Sequence, residues 1–286
     1  MSFQKIKKAI EEHKLKKVKK LVEADPAIIH IQNSNGVTPL FIAFHEQQVD
    51  IAKYLIDSGA DINHKSTKDG WTVLHIACYL VNLEIVNLLL NYYIDIEATT
   101  NTGATPLYLV CKTGAAHMEA AIDIIKALLL ADIGDDEEDK YINRKEEHGY
   151  FPLYIASKNG DEDIVELLLA YSADVQEKTE QGDTSLMIAV QENNKKSHLE
   201  VIKMLLKASA DLEITDNTGH NALFWAQQNG DAEVIELITQ YAQESVSLEP
   251  TELDIISVNK SEIPETAEDI IHLWTFNFAQ NMSIFS

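Results

Sequence analysis

Apolar residues along this chain fall into short helical stripes that return at regular intervals. Ile85, Val86, Leu88, Leu89 and Leu90 put one apolar face on a helix, because residues three and four apart share a side. Just before them Leu74, Ile76 and Ala77 form a shorter stripe, opened by Thr72, whose hydroxyl suits an N-cap. Polar stops follow the longer stripes: Ser58-Gly59-Ala60-Asp61, Asn91-Tyr92-Tyr93-Ile94-Asp95, Tyr171-Ser172-Ala173-Asp174 and Ser209-Ala210-Asp211. Gly59 fits a left-handed helix terminus. The predicted unit is therefore helix, turn, helix, then an extended hairpin leading to the next unit.

A motif of the form Gly-x-Thr-Pro-Leu opens each unit. It runs Gly36-Val37-Thr38-Pro39-Leu40, then Gly70-Trp71-Thr72-Val73-Leu74, Gly103-Ala104-Thr105-Pro106-Leu107, Gly149-Tyr150-Phe151-Pro152-Leu153, Gly182-Asp183-Thr184-Ser185-Leu186 and Gly219-His220-Asn221-Ala222-Leu223. The Thr-equivalent positions are 34, 33, 46, 33 and 37 residues apart. A period of about 33 residues signals a solenoid, whose helix pairs bury their apolar faces only against neighbouring pairs. Before the first motif, Phe3, Ile6, Ile10, Leu15, Val18, Leu21 and Val22 imply a further helix pair with a charged outer side, as an end cap needs. Val234, Ile235, Leu237 and Ile238 give the last unit its second helix.

These motifs resemble the ankyrin repeat, whose fingerprint is a Thr-Pro-Leu-His-type turn and helix start. The resemblance covers about residues 3–242 and implies an all-α solenoid of stacked helix-turn-helix units with β-hairpin loops. On this reading residues 1–32 are an N-terminal capping pair, 33–242 hold about six repeats, and 243–286 form a C-terminal tail. Insertions fall near 112–118, 131–140 and 193–197. Departures are Val73, Ser185 and Ala222 at the Pro position and Phe151 and Asn221 at the Thr position, which should loosen those turns. The family implies protein-protein recognition by hairpin tips and inner helices, with no chemistry and no particular partner.

Composition agrees with a folded chain: 45% hydrophobic and 24% charged residues are the ordinary globular mix. No run approaches the roughly 18 apolar residues of a membrane helix, and the Lys-rich first 20 residues lack a signal peptide's apolar centre. A monomer in the cytoplasm is expected. The net charge of −23 is uneven: residues 1–20 hold eight Lys against two Glu, a local +6, so the remainder carries −29. That acidity repels phosphate backbones and anionic lipid, excluding nucleic acid and membrane insertion and favouring a basic protein partner. The exception, a basic face at Lys14, Lys16, Lys17, Lys19 and Lys20, reads first as a solvated helix side. Cys78 and Cys111 lie 33 residues apart at equivalent repeat positions, too distant for a disulfide, and read as buried thiols in a reducing compartment.

No catalytic signature holds its spacing: there is no phosphate loop, His-Glu-x-x-His, Gly-x-Ser-x-Gly or Cys-x-x-Cys. No cofactor or metal is predicted. His75 stands fourth in its Thr-Pro-Leu-His-like motif, where the resemblance implies a hydrogen bond within the turn network. The acidic segment 132–139 lacks the order of a calcium loop and reads as a solvated loop, or as a contact for a basic partner. Two sequons, at Asn259 and Asn281, matter only on a secretory route.

What remains is large side chains at positions the repeat leaves free. The residue after each motif Gly sits near a hairpin tip, and there the chain has Trp71, Tyr150 and His220 beside Val37, Ala104 and Asp183. A Trp and a Tyr at solvent-facing tips suit interface anchors. Tyr79 and Lys112, just past their first helices, face the same concave groove. Partner contacts are thus expected at Trp71, Tyr79, Lys112, Tyr150 and His220; the competing reading is that the aromatics pack along their own hairpins. Tail residues Ile270, Ile271, Leu273 and Trp274 need cover, from Phe224 and Trp225 of the last repeat or from another molecule. Glu262, Glu265, Glu268 and the terminal Ile284-Phe285-Ser286 are similar to C-terminal signals of bacterial type IV secretion substrates. With 22 Lys to one Arg, as an AT-rich genome favours, that resemblance implies an effector binding a host protein. The alternative class is the targeting region of a larger enzyme whose catalytic domain is absent from, or only begun in, this chain.

Overall fold

The computed structural model describes residues 3–92, 94–131, 141–193 and 196–247. Among them the chain is all-α, with fourteen α-helices and no strand. They follow as pairs: α1 (Phe3–Glu11) and α2 (Leu15–Ala24), α3 (Pro39–His45) and α4 (Val49–Asp57), α5 (Val73–Tyr79) and α6 (Leu83–Leu90), α7 (Pro106–Thr113) and α8 (Met118–Ala131). Then come α9 (Pro152–Asn159) and α10 (Glu162–Ala170), α11 (Ser185–Gln191) and α12 (Lys196–Lys207), α13 (Ala222–Asn229) and α14 (Ala232–Ser247). The first helices of successive pairs pack on one another from α1 through α13, forming an inner row. Among the second helices, α2 packs on α4, α6 on α8, α8 on α10, α10 on α12 and α12 on α14, forming an outer row.

The rows pack closely because the sequence puts small or slim residues where inner helices meet. Ala43, Ala77, Val110, Ala156, Ala189 and Ala226 occupy one register position and are all fully buried. The motif Leu supplies the bulk: Leu40, Leu74, Leu107, Leu153 and Leu186 are at most 1% exposed, each worth about 2 kcal/mol of burial. Cys78 and Cys111 are buried one position on, unpaired, and burial pushes both thiols well above their ordinary range.

Thr38, Thr72, Thr105 and Thr184 cap the inner helices as predicted, each hydroxyl accepting the amide three residues on at 3.1–3.4 Å. Asn221, read as a loosening departure, caps equally well through Oδ1 at 3.0 Å from the Phe224 amide. A side-chain oxygen at that place is what matters. Phe151 caps nothing and instead buries its ring completely.

At the front, Ile6, Ala9, Ile10, Val18 and Val22 face the stack. The outer lysines stay in water, with Lys14 2.9 Å from Glu12 and Lys8 and Lys17 at 3.8 and 3.9 Å. The insertion after α7 forms a 3₁₀ turn, Gly114–His117, before α8. At the back, α14 runs to Ser247, through the start of the predicted linker at 245–251. Gln243 and Glu244 favour helix, and the first helix breaker is Pro250. The acidic segment, the sequons and the tail from 248 lie outside the described residues.

Candidate binding face

The loops predicted as extended hairpins are tighter than strands. Each closes on itself with two backbone bonds, such as Ser66 N–H to Trp71 O at 2.8 Å with Gly70 N–H to Ser66 O at 2.9 Å, or Thr100 N–H to Ala104 O with Gly103 N–H to Thr100 O, both at 3.0 Å. Several then donate one bond to the previous turn: Thr67 to Asn35 at 2.9 Å, Asn101 to Asp69 at 3.0 Å, Glu147 to Thr102 at 2.7 Å and Asn217 to Gln181 at 2.9 Å. Two bonds within the turn and one along the stack satisfy its backbone without a ladder.

A second device fixes the side chain that follows each motif Gly. The first residue of every turn offers an oxygen to the amide of that position: Asn33 to Val37, Ser66 to Trp71, Thr100 to Ala104, Glu146 to Tyr150, Thr179 to Asp183 and Asp216 to His220, all at 3.0–3.2 Å. Five residue types share this role, so no letter pattern exposes it. The available signal was an oxygen-bearing side chain three or four residues ahead of each motif Gly.

The side chains so placed are not solvent-facing, as the sequence suggested. Trp71, Tyr150 and His220 are half-buried, each leaning on the residue four places on, which lies on its own inner helix. Trp71 lies 6.2 Å from His75, Tyr150 stacks on Tyr154 at 5.0 Å and 1°, and His220 stacks on Phe224 at 3.7 Å. The spacing explains it: the Thr cap turns the chain into the helix, bringing the fourth residue under the turn. Packing along the hairpin and facing the inner row are therefore the same arrangement.

Three aromatic clusters result. In the first, Tyr79 sets its ring edge against Trp71 at 5.4 Å and 71°, and Phe41 from the preceding repeat lines the same cleft. The second joins Tyr150 to His148 and Tyr154, with Phe151 against Tyr154. Lys112 belongs to the neighbouring repeat, its ammonium 5.7 Å over the Tyr108 ring. Burial, reinforced by the Tyr150 phenol, raises the Tyr108 and Tyr154 hydroxyls above the ordinary range, so they stay neutral donors. The third cluster holds His220, Phe224 and Trp225, whose indole donates to Asp216 Oδ2 at 3.2 Å. Burial of Asp216 opposes ionisation, but hydrogen bonds from Thr218, the His220 amide and Trp225 outweigh it and lower its pKa. Of the sequence candidates, Trp71 and Tyr79 meet in one cleft, Tyr150 belongs to the second cluster with Lys112 on the repeat before it, and His220 belongs to the third. Phe41, Tyr108 and Tyr154 were missed as face residues, because each occupies a repeat position that reads as core; Phe224 and Trp225 were singled out, but as cover for the tail.

His75 is fully buried; its Nδ1 accepts from Thr72 N–H at 3.1 Å and pairs with Thr72 Oγ1 at 2.8 Å, while Nε2 reaches Ala104 O at 3.1 Å. Glu146, Glu147 and His148 come close enough to share a cation. Glu146 is occupied, however, accepting the His148 and Tyr150 amides and the His148 ring, and that ring hydrogen bond raises the pKa of the exposed His148. Among the described residues no helix is long and apolar enough to cross a membrane.

Comparison with known proteins gives the same repeat. A family model described as ankyrin repeats, three copies, matches residues 6–100, 95–179, 115–216 and 175–249. An ankyrin repeat protein of Acanthamoeba polyphaga mimivirus is 29% identical over 96 residues, 33% of this chain and 13% of that protein. The mouse ankyrin repeat domain-containing protein 63 is 28% identical over 139 residues, 47% of this chain and 35% of its own length. The Caenorhabditis elegans ANK repeat-containing protein nipk-1 is 28% identical over 161 residues, 53% of this chain and 24% of its own. The chain thus spans about a third or less of these relatives' lengths. Turns, caps and helix pairs repeat in register along the stretch that the family model covers, and the chain belongs to the ankyrin-repeat family.

Proposed function

We propose that this protein is a non-enzymatic binding module that recognises a partner protein through the inner-row helices and turn tips, with Trp71, Tyr79, Lys112, Tyr150 and His220 among the contact residues. The observation that carries this is the pre-organisation of the aromatics. Trp71, Tyr150 and His220 are each held by a turn bond and a neighbouring ring, and Tyr79 by its contact with Trp71, so little side-chain freedom remains to be lost on binding. Rings that keep an open edge supply interface anchors. The acidic remainder of the chain favours a basic partner and speeds its approach. Adaptor, scaffold and inhibitor all use such a surface, and a monomer suffices for each.

The test is the affinity of a captured partner for the intact chain and for a Trp71→Ala/Tyr150→Ala double variant, with helicity checked by circular dichroism. The expected loss is about thirtyfold or more, the scale of an anchor residue; unchanged affinity with retained helicity would overturn the site. A host-directed effector and a targeting region of a longer enzyme are finer readings resting on the tail, which lies outside the described residues.

A further inference from the structure

The cleft between the first two repeats differs from the rest of the inner face. It measures about 310 Å³ and is lined by Val37, Phe41, Ile76, Leu80, Trp71 and Tyr79, with Asp69 and Lys68 at its rim beside Asn35, Ser66 and His45. That volume is at the lower end of ligand pockets and suits one long side chain. Tyr79 is 51% exposed, one of two large apolar side chains so open among the described residues.

From these walls we infer that the cleft seats the cationic side chain of a basic partner segment, a lysine or an arginine. The inference rests on the binding reading above and names the chemistry of its ligand. A flexible basic side chain has an apolar stem and a charged tip. The cleft offers both kinds of surface: Val37, Ile76 and Leu80 for the stem, and the Phe41, Trp71 and Tyr79 rings with the Asp69 carboxylate for the tip. Trp71 and Tyr79 already pack edge to face at 5.4 Å and 71°, so a cation seated in the cleft lies over a ring face that this contact leaves open, the geometry that favours cation–π attraction.

The chain itself gives the comparison. Tyr79 ends its inner helix at the position where the next repeat has Lys112, and there the ammonium sits 5.7 Å over Tyr108. Lys19 likewise lies 5.3 Å over Tyr54. In the second repeat the rings have no such cation of their own among the described residues. Asp69 is exposed and makes no ion pair there. Lys68 is the opposing charge and Asp69 offsets it locally, while the −29 carried beyond residue 20 sets the sign of the wider field.

The test uses the full chain with uniform ¹⁵N labelling and three twelve-residue Gly/Ser peptides, identical except for a central Ala-Arg-Ala, Ala-norleucine-Ala or Ala-Glu-Ala. The Trp71 indole N–H resonance, assigned by its loss in Trp71→Phe, is followed through each titration. The arginine peptide is expected to shift it saturably and to bind about tenfold more tightly than the norleucine peptide. Tyr79→Ala and Asp69→Asn, both on exposed side chains, should each weaken the arginine peptide several-fold and leave the norleucine peptide nearly unchanged. Equal binding of the norleucine and arginine peptides would overturn the cationic seat while leaving a peptide-binding face in place. Binding of the arginine peptide that shifts only resonances away from Trp71 and Tyr79 would overturn this cleft. If no peptide moves the Trp71 resonance, while Trp71→Ala/Tyr150→Ala still releases a captured partner, the inference fails and the proposed function stands.

Discussion

Lowering the pH from 6.5 to 4 is expected to cost the repeat stack up to about 3 kcal/mol through one side chain, His75. Burial lowers its pKa from 6.5 to about 4, with Lys65 adding to the effect and the bond to Ala104 opposing it. The ring is held neutral by its surroundings: Nε2–H donates to Ala104 O, and Nδ1 accepts from Thr72 N–H. A proton on Nδ1 would remove that acceptor inside a dry core. Because the folded pKa is below the unfolded one, the unfolded chain binds the extra proton between pH 4 and 6.5. Stability is therefore complete above pH 6.5, falls as pH drops through the window, and levels off for this group below about 4. Urea midpoints at pH 7, 5.5 and 4, for the natural chain and for His75→Gln, separate this residue from the carboxylates. The variant should start lower and show a flatter profile. Parallel profiles would remove His75 as the source.

Gly70→Ala is expected to destabilise the chain by about 3–4 kcal/mol, where the same change at Gly219 costs only about 1–2. Both glycines open a motif in the left-handed region, φ +71° at Gly70 and +82° at Gly219, so both carry the backbone penalty of a side chain there. They differ in what lies beyond. A Cβ on Gly70 would meet Asn101 N at 2.5 Å, and the bond from that amide to Asp69 O at 3.0 Å joins the second turn to the third. A Cβ on Gly219 meets nothing within 4 Å. The motif glycine thus answers two demands, a left-handed turn and the close approach of the next repeat, and the last repeat keeps only the first. Thermal unfolding of the two variants side by side should show the difference; equal shifts would mean that turn stacking contributes little.

How far the sequence discloses this architecture depends on whether the information is periodic. Thr38, Thr72 and Thr105 stand 34 and 33 residues apart and Thr184 heads the same motif beyond an insertion, and the buried alanines and leucines behind them recur in register, so the paired helices could be read off directly. The turn-closing oxygens are equally periodic in role but not in letter: Asn33, Ser66, Thr100, Glu146, Thr179 and Asp216 are interchangeable because only an acceptor at that distance is needed. The same gap explains the misreading of Trp71 and Tyr150 as solvent-facing. Their position on a hairpin tip was legible; the inward lean is set by the cap that follows and by the ring four residues on. Lys112 stands four residues after Tyr108 on the same helix, so its placement over that ring was legible as an i, i+4 pair, although the sequence reading assigned it to the groove alone. Past residue 242 the helix continued because local propensity, not the repeat, governs there.

The central claim is that the inner face, not the outer row, meets the partner. A benzophenone amino acid placed in turn at Tyr79, at Lys112 and at Leu130 tests it directly. Leu130 is 54% exposed and lies on the outer-row helix α8, so it reports contact from the other side of the stack. After irradiation in an extract where the intact chain retains a partner, covalent adducts of one mass are expected from Tyr79 and Lys112 and absent from Leu130. Adducts confined to Leu130 would contradict the account.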